Sequence, residues 1–377
     1  MATTTYSKFN KKTEALEVAE AFASRIRGKT IIVTGVNRGG IGFSTAQAFV
    51  SYHACVSYTS PILTDQASQS PSLLIITGRN PSKIQDSISA LRAEFPAVNY
   101  RGLCVDLSNQ QSVRNAATEV LNWADVPMIN IVVNSAGIMG IQERTLSKDG
   151  IELHFATNHL GHWLLACLIM PKLIKAAESN PIGATRIVNV SSASPQVSGV
   201  RWSDINFDTK NKDLPKEEQP DYQWFAMCGC RDIEEASYVP LDGYNRSKVA
   251  NVLFGIAANK RLFEKYGILT LSLHPGVIET ELGRDMSPED LEAFADLRKS
   301  IFKPKTLGAG ASTSLVAALD PKLAHGVGKE KDGSENWGSY LDNCQISGNA
   351  HPLAVSSQEA EKLWDVSEQL VGQTFTW

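Results

Sequence analysis

The stretch "TIIVTGVNRGGIGFSTAQAF", residues 30–49, limits what this chain can fold into more than any other segment. Its β-branched apolar start, glycine-rich middle and amphipathic end predict a strand, a tight turn and a helix in direct succession. Gly35, Gly40 and Gly42 let the backbone turn sharply and come close to a ligand. A helix opening near Gly42 aims unpaired N–H groups, and the positive end of its dipole, back at that turn. This arrangement suits a pyrophosphate. Three glycines alone are a weak signal; a strand before them and a helix after them make it stronger.

The rest of the chain keeps the same rhythm. Apolar, β-rich runs at 30–35, 73–78, 98–105, 129–134, 185–191 and 268–274 alternate with helical patterns at 81–93, 109–122, 154–177 and 244–265. Several of these runs are almost continuously apolar, as expected of parallel strands covered on both faces. The pattern predicts an α/β fold: one doubly wound, Rossmann-type parallel sheet with helices on both faces. Residues 1–28 read as an N-terminal extension, 29–345 as the catalytic domain, and 346–377 as a C-terminal tail with a helix. Within the domain, 195–243 is a long excursion after the fifth strand. Its place at the carboxyl end of a strand suits a substrate-side loop.

Composition narrows the function classes. A formal net charge of −4 over 377 residues, without a basic block, gives no support for nucleic-acid binding. The start "MATTTYSKFNKK" lacks the apolar run of a secretory signal, and no segment approaches eighteen consecutive apolar residues, so no membrane span is expected. Six cysteines without a signal suggest reduced thiols and a cytoplasmic protein. Cys228 and Cys230 in "CGC" have no second pair at zinc spacing, so no metal is expected. His154, His159, His162 and His274 read as structural histidines.

The end of the second strand indicates which dinucleotide the glycine turn would hold. An NAD site places an acid there to accept hydrogen bonds from ribose hydroxyls. Here the strand ends "ITGRN", with Arg79 at that place and Arg38 inside the glycine turn. Two guanidiniums match a 2′-phosphate in charge and in fork geometry, which favours NADP(H) over NAD(H). Further on, "GYNRSK" puts Tyr244 four residues before Lys248, on one helical face. The ammonium, together with an oxidised nicotinamide, is expected to lower the phenol's pKa from its ordinary value of about 10.

With these residues in view, the chain resembles the short-chain dehydrogenase/reductase family. The turn "TGVNRGGIG" is one residue longer than the family's TGxxxGxG, a form found among fungal members. "CVDL" matches the adenine-side Asp, here Asp106. "NSAG" matches NNAG, "TNHLGHWLL" the NxxGxFxL helix, "IVNVSSAS" the serine strand, and "HPGVIETEL" the PGxxxT loop. "TEALEV" near the start, with "WGSYLDNC" and "LWDVSEQLVG" near the end, is similar to the branch of retinol dehydrogenases and the WW-domain oxidoreductase. The resemblance implies a catalytic set of Asn158, Ser192, Tyr244 and Lys248, with Ser191 the neighbouring alternative to Ser192. In it Tyr244 is the acid/base, Lys248 also holds the nicotinamide ribose, Ser192 bonds the substrate oxygen, and Asn158 supports a water-borne proton relay. It further implies that Gly35, Asn37, Arg38, Gly40, Ile41, Gly42, Arg79, Asp106, Leu107, Asn134, Ala136, Gly137, Pro275, Gly276, Val277 and Thr280 bind the dinucleotide alongside Tyr244 and Lys248. The implied activity is interconversion of a carbonyl and an alcohol on a small-to-medium apolar substrate, with "YQWF" of the long loop expected beside it. Oligomeric state is left open between monomer and homodimer.

One segment departs from the pattern. Arg79 lies 37 positions beyond Gly42, where the fingerprint expects about 20. Removing Val50–Gln66 restores that spacing and joins "STAQAF" to "ASQSPSLLIITGRN". A Val codon begins with GT and a Gln codon can end in AG, so the segment reads as an in-frame retained intron. The rival is a genuine surface insertion. The insertion also keeps a different class open, a non-catalytic dinucleotide-binding protein or inactive isoform. An epimerase or dehydratase on the same fold is disfavoured, because its TGxxGxxG turn is absent. Asn189 and Asn245 fit the glycosylation pattern, but one sits on an expected buried strand and the other inside the Tyr–Lys helix.

Overall fold

The computed structural model describes residues 3–51, 70–293, 303–326 and 335–377. Of the segment 50–66, only Val50 and Ser51 are described; the rest of the expected insertion lies outside. The strands are β1 (Thr30–Thr34), β2 (Leu73–Gly78), β3 (Tyr100–Cys104), β4 (Ile131–Asn134), β5 (Thr185–Val190), β6 (Ile268–His274), β7 (Tyr340–Asp342) and β8 (Gln345–Ile346). They form one sheet in the order β3-β2-β1-β4-β5-β6-β7-β8. All pairs are parallel except β7 with β8. The strand order reverses between β1 and β4, so a crevice opens at the carboxyl ends of these two strands. All six expected strands are present. The short β7–β8 pair at the far edge carries no run long enough to announce itself in sequence.

The helices are α1 (Ala15–Ala21), α2 (Ala23–Ile26), α3 (Ile41–Val50), α4 (Pro81–Glu94), α5 (Gln110–Asn122), α6 (Gly161–Ala177), α7 (Tyr222–Met227), α8 (Pro240–Tyr266), α9 (Leu307–Leu319) and α10 (Ser357–Val371). Period-two alternation on the central strands sorts the core into two layers. Ile31, Val33, Ile131, Val133 and Val188 face one apolar layer with residues of α1, α3, α4 and α9. Ile32, Val132 and Ile187 face the other, with residues of α5, α6, α8 and α10. Both layers are apolar, which is why these strands read as unbroken hydrophobic runs.

The two flanks pack onto the body. Phe9, Val18, Phe22 and Ile26 are buried in the first layer, and the Thr5 hydroxyl donates to Asp320 at 2.5 Å. On α10, Leu363 and Trp364 are buried in the second layer, with the Trp364 ring 5.2 Å from that of Trp163.

Among the described residues, Phe155–Ala177 is the one helix long and apolar enough to cross a membrane. A count of consecutive apolar residues misses it, because His159, His162 and Lys172 interrupt the run. Its composition reflects burial in this fold: Trp163, Leu164, Ile169 and Leu173 are wholly enclosed between the sheet and its neighbours. The helix begins as a π-helical stretch, Phe155–Leu160, a distortion that often marks functional sites.

Candidate active site

The carboxyl ends of β1, β4, β5 and β6 converge on a cavity of about 590 Å³. At one end lies the glycine turn. Gly35 has φ +69°, a conformation costly for any side chain, and a Cβ there would meet the Ala136 backbone at 2.6 Å. A Cβ on Gly42 would meet the Gly35 carbonyl oxygen at 2.5 Å. Glycine at both positions lets α3 start directly against β1. Gly40 caps α3 without a side-chain hydrogen bond, so the first N–H groups of the helix remain available to an anion.

Of the residues expected to bind the dinucleotide, Gly35, Asn37, Arg38, Gly40, Ile41, Gly42, Arg79, Asp106, Leu107, Ala136, Gly137, Tyr244, Lys248, Pro275, Gly276 and Thr280 line this cavity. Arg38 and Arg79 are thus brought to the same end. One carboxylate oxygen of Asp106 accepts from the Ser108 N–H at 3.0 Å and hydroxyl at 2.7 Å, fixing the side chain at the rim. Asn134 and Val277 are not among the lining residues. The Asn134 amide donates sideways to Asn189 Oδ1 at 2.8 Å, and the Val277 carbonyl accepts from Lys305 N–H at 2.9 Å. Both hold the walls together.

At the other end, Tyr244 and Lys248 come from the first turns of α8, which Pro240 opens and Gly267 closes with φ +69°. The Lys248 Nζ lies 5.7 Å from the Tyr244 ring centre and donates to the Val190 carbonyl at 2.9 Å. Burial alone pulls Lys248 down to about 8. The lowering expected of the phenol needs the oxidised nicotinamide as well as Lys248; the chain by itself acts the other way. Burial pushes the Tyr244 pKa up, and a hydrogen bond with Ser192 only partly opposes it. Removing the phenol from water disfavours its anion more than the neighbouring groups of the chain favour it. Tyr244 is therefore a protonated phenol at neutral pH, ready to donate.

Both candidate serines contribute to the cavity lining, but their hydroxyls have different partners. Ser191 is buried, and its hydroxyl donates to the Lys248 carbonyl at 2.6 Å. Ser192 lines the cavity beside Tyr244, and its carbonyl accepts from the Tyr340 hydroxyl at 2.6 Å. Asn158 does not line the cavity. Its amide nitrogen donates to the Ile138 carbonyl at 3.0 Å and to Ser247 Oγ at 2.9 Å, and its Oδ1 accepts from Ile138 N–H at 2.9 Å. The side chain clamps the β4 loop to α8.

Several contributors carry no local sequence signal. Thr34 Oγ1 accepts from Ser135 N–H and Ala136 N–H, both at 2.9 Å, so its hydrogen goes to His162 Nε2 at 2.8 Å. The opposite nitrogen, Nδ1–H, donates to the Asn158 carbonyl at 3.0 Å. Burial holds His162 down to about 4, so the ring stays neutral in this network. Asn251 donates to the same carbonyl at 2.8 Å. Tyr340, from β7, is reachable only through the fold. Had the last strand residue before the turn been read as a donor–acceptor, Thr34 alone would have been legible.

The cavity wall also has apolar members. Ile138, Ile141, Leu153 and Leu282 line it. The "YQWF" aromatics are not among the lining residues: Tyr222, Trp224 and Phe225 pack with Met139, Met286 and the lining residues Tyr244 and Leu282. The loop 195–243 is built on two buried arginines. Arg201 donates to Asn211 and Asp204, each at 2.6 Å. Arg246 bonds Asp242 at 2.8 Å and the carbonyls of Gly199 and Glu218 at 3.0 and 2.8 Å. These bonds fasten the loop to the helix that carries Tyr244.

Known proteins are similar to this chain in sequence and in fold. The family model for short chain dehydrogenases matches residues 62–204. Oxidoreductase fscI of Fusarium equiseti is 35% identical over 269 residues, 71% of this chain and 94% of that protein. Retinol dehydrogenase 14 of Homo sapiens is 30% identical over 361 residues, 92% of this chain and 87% of its own. A solved structure of an uncharacterized protein from Mycobacterium paratuberculosis matches with a TM-score of 0.57 over 93% of this chain and 96% of that one, at 23% identity. The last is a likeness of fold; the first relatives carry the sequence as well. By its sheet order, its glycine turn and these relatives, the chain belongs to the short-chain dehydrogenase/reductase family and resembles its retinol dehydrogenase-like branch.

Proposed function

We propose that this protein is an NADP(H)-dependent oxidoreductase that interconverts a carbonyl and an alcohol on a small-to-medium apolar substrate. The observation that carries the proposal is one cavity holding a helix-capped glycine turn and two arginines at one end, and Ser192, Tyr244 and Lys248 at the other. The dinucleotide supplies the hydride when bound. Gly40 and the first turn of α3 hold its pyrophosphate, and Arg38 with Arg79 pairs the 2′-phosphate. Lys248 holds the nicotinamide ribose.

Reduction then needs one proton at the substrate oxygen. Tyr244, kept protonated by burial, donates it, and the Ser192 hydroxyl steadies the same oxygen. The resting protonation of the phenol suits reduction directly. Oxidation needs the phenolate, which only added positive charge in the cleft can stabilise. Ile138, Ile141, Leu153 and Leu282 exclude water and select an apolar substrate. Five free cysteines among the described residues fit a reducing, cytoplasmic setting. The test is consumption of NADPH and of NADH by the purified protein over a panel of aldehydes and ketones. NADPH-dependent turnover of apolar carbonyls is expected. Tight NADPH binding without turnover of any carbonyl or alcohol would contradict the proposal.

A further inference from the structure

The carbonyl chemistry proposed above, on which this inference rests, requires Ser192 to donate, because a carbonyl oxygen only accepts. The Ser192 oxygen borders the cavity beside Tyr244, but its hydrogen is directed elsewhere. The hydroxyl donates to Ser194 Oγ at 2.6 Å and accepts from the Ser194 N–H at 2.9 Å. Ser194 Oγ in turn donates to Asn245 Oδ1 at 2.6 Å. An amide oxygen cannot donate, so the direction of the chain is set from its far end. Asn245 takes the Ser194 hydrogen, and Ser194 can then only accept from Ser192. Water has little access to change this, since Ser194 is 6% and Asn245 2% exposed.

The amide has a second feature. Asn245 Nδ2 is buried and, among the described residues, has no hydrogen-bond partner. A buried unpaired donor is unfavourable. Turning the amide over would direct Nδ2 at Ser194 Oγ and reverse every bond along the chain. Ser194 would donate to Ser192, and the Ser192 hydrogen would be free for the substrate oxygen. The turn uses a single side-chain torsion next to Tyr244, on a helix that does not have to move.

We propose that the Asn245 amide, acting through Ser194, sets whether the Ser192 hydroxyl accepts or donates, and so matches the site to an alcohol in one setting and to a carbonyl in the other. Asn245 and Ser194 are positioning residues; neither touches the reacting atoms.

The test compares Asn245→Asp with Asn245→Leu in NADPH-driven reduction of a carbonyl that the wild type turns over. An aspartate only accepts, so it locks Ser192 away from the substrate. A kcat loss of about a hundredfold is expected near pH ~8. As the pH falls toward ~5.5, the carboxyl takes up a proton, donates to Ser194 and recovers at least about tenfold relative to wild type. Leucine holds nothing and leaves the two serines free to turn, so Asn245→Leu loses less than about tenfold. If Asn245→Leu is as impaired as Asn245→Asp, or if the Asn245→Asp profile runs parallel to the wild type, the proposal is overturned. Should Asn245→Asp not fold, Ser194→Ala, Asn245→Leu and their double variant decide. One shared chain makes the double variant no worse than the poorer single, whereas independent structural roles make the losses multiply. A wild type that reduces no carbonyl removes the proposed function and this inference together. An active wild type with the wrong order of variants removes this inference alone.

Discussion

The Ser191 hydroxyl donates to the backbone carbonyl of Lys248 across 2.6 Å, tying the end of β5 to the α8 turn that follows Tyr244. Its neighbour Ser192 lines the cavity as Ser191 does, but has its side chain hydrogen-bonded to Tyr244. Both serines lie just beyond β5; with the Ser191 hydroxyl committed to the Lys248 carbonyl, Ser192 is the one assigned to the substrate. Ser191→Ala is expected to cost about 0.5–1.5 kcal/mol of unfolding free energy, the net loss of one hydrogen bond, because the Lys248 carbonyl keeps its partner inside α8. Ser192→Ala is expected to lower kcat by about 10²-fold with a smaller effect on stability. Denaturant unfolding and steady-state kinetics on both variants check this. Equal kinetic losses would contradict the assignment.

Cofactor preference should depend on Arg38 and Arg79, which line the same end of the cavity. Replacing either by Ala is expected to weaken NADPH binding about tenfold while changing NADH binding little, because only NADPH carries the 2′-phosphate. Fluorescence titration with both dinucleotides measures the difference. A parallel loss for both would place the arginines elsewhere than at the 2′-phosphate.

Lys248 gives a pH dependence to binding. Burial brings its pKa down to about 8, so it is mostly an ammonium at neutral pH and loses its proton as pH rises through that value. A neutral amine attracts the ribose oxygens and phosphates less. Dinucleotide affinity is therefore expected to fall between about pH 7 and 9 in the wild type, and to be weaker and nearly flat in Lys248→Met.

Acid stability should reflect the buried histidines. Burial lowers His159 to about 3 and His162 to about 4, against an ordinary value of about 6.5. The unfolded chain therefore binds protons that the folded state refuses. Stability is fully present above about pH 6.5 and is lost as pH falls toward 4. Each histidine accounts for on the order of 2 kcal/mol near pH 5. Thermal unfolding at pH 7 and 5 should show a smaller shift in His159→Gln than in the wild type.

Most of the frame was legible because it is local. The strand, turn and helix at 30–49 and the apolar runs of the central strands each report their burial through their own residues. Tyr244, Lys248 and the glycines were legible because their chemistry needs fixed spacing on one element. What stayed hidden depends on contacts between distant segments. The Thr34–His162–Asn158 chain spans three elements, and Tyr340 reaches Ser192 across 148 residues. The raised Tyr244 pKa could not be read either. Sequence shows the neighbouring lysine but not the depth of burial, and burial is the larger effect here.

The most direct measurement is carbonyl-dependent NADPH oxidation by the wild type and by Tyr244→Phe, with NADPH binding measured on both. Loss of about 10²- to 10⁴-fold in kcat, with binding kept within a few-fold, is the expected result. Equal turnover by the two proteins would contradict Tyr244 as the proton donor.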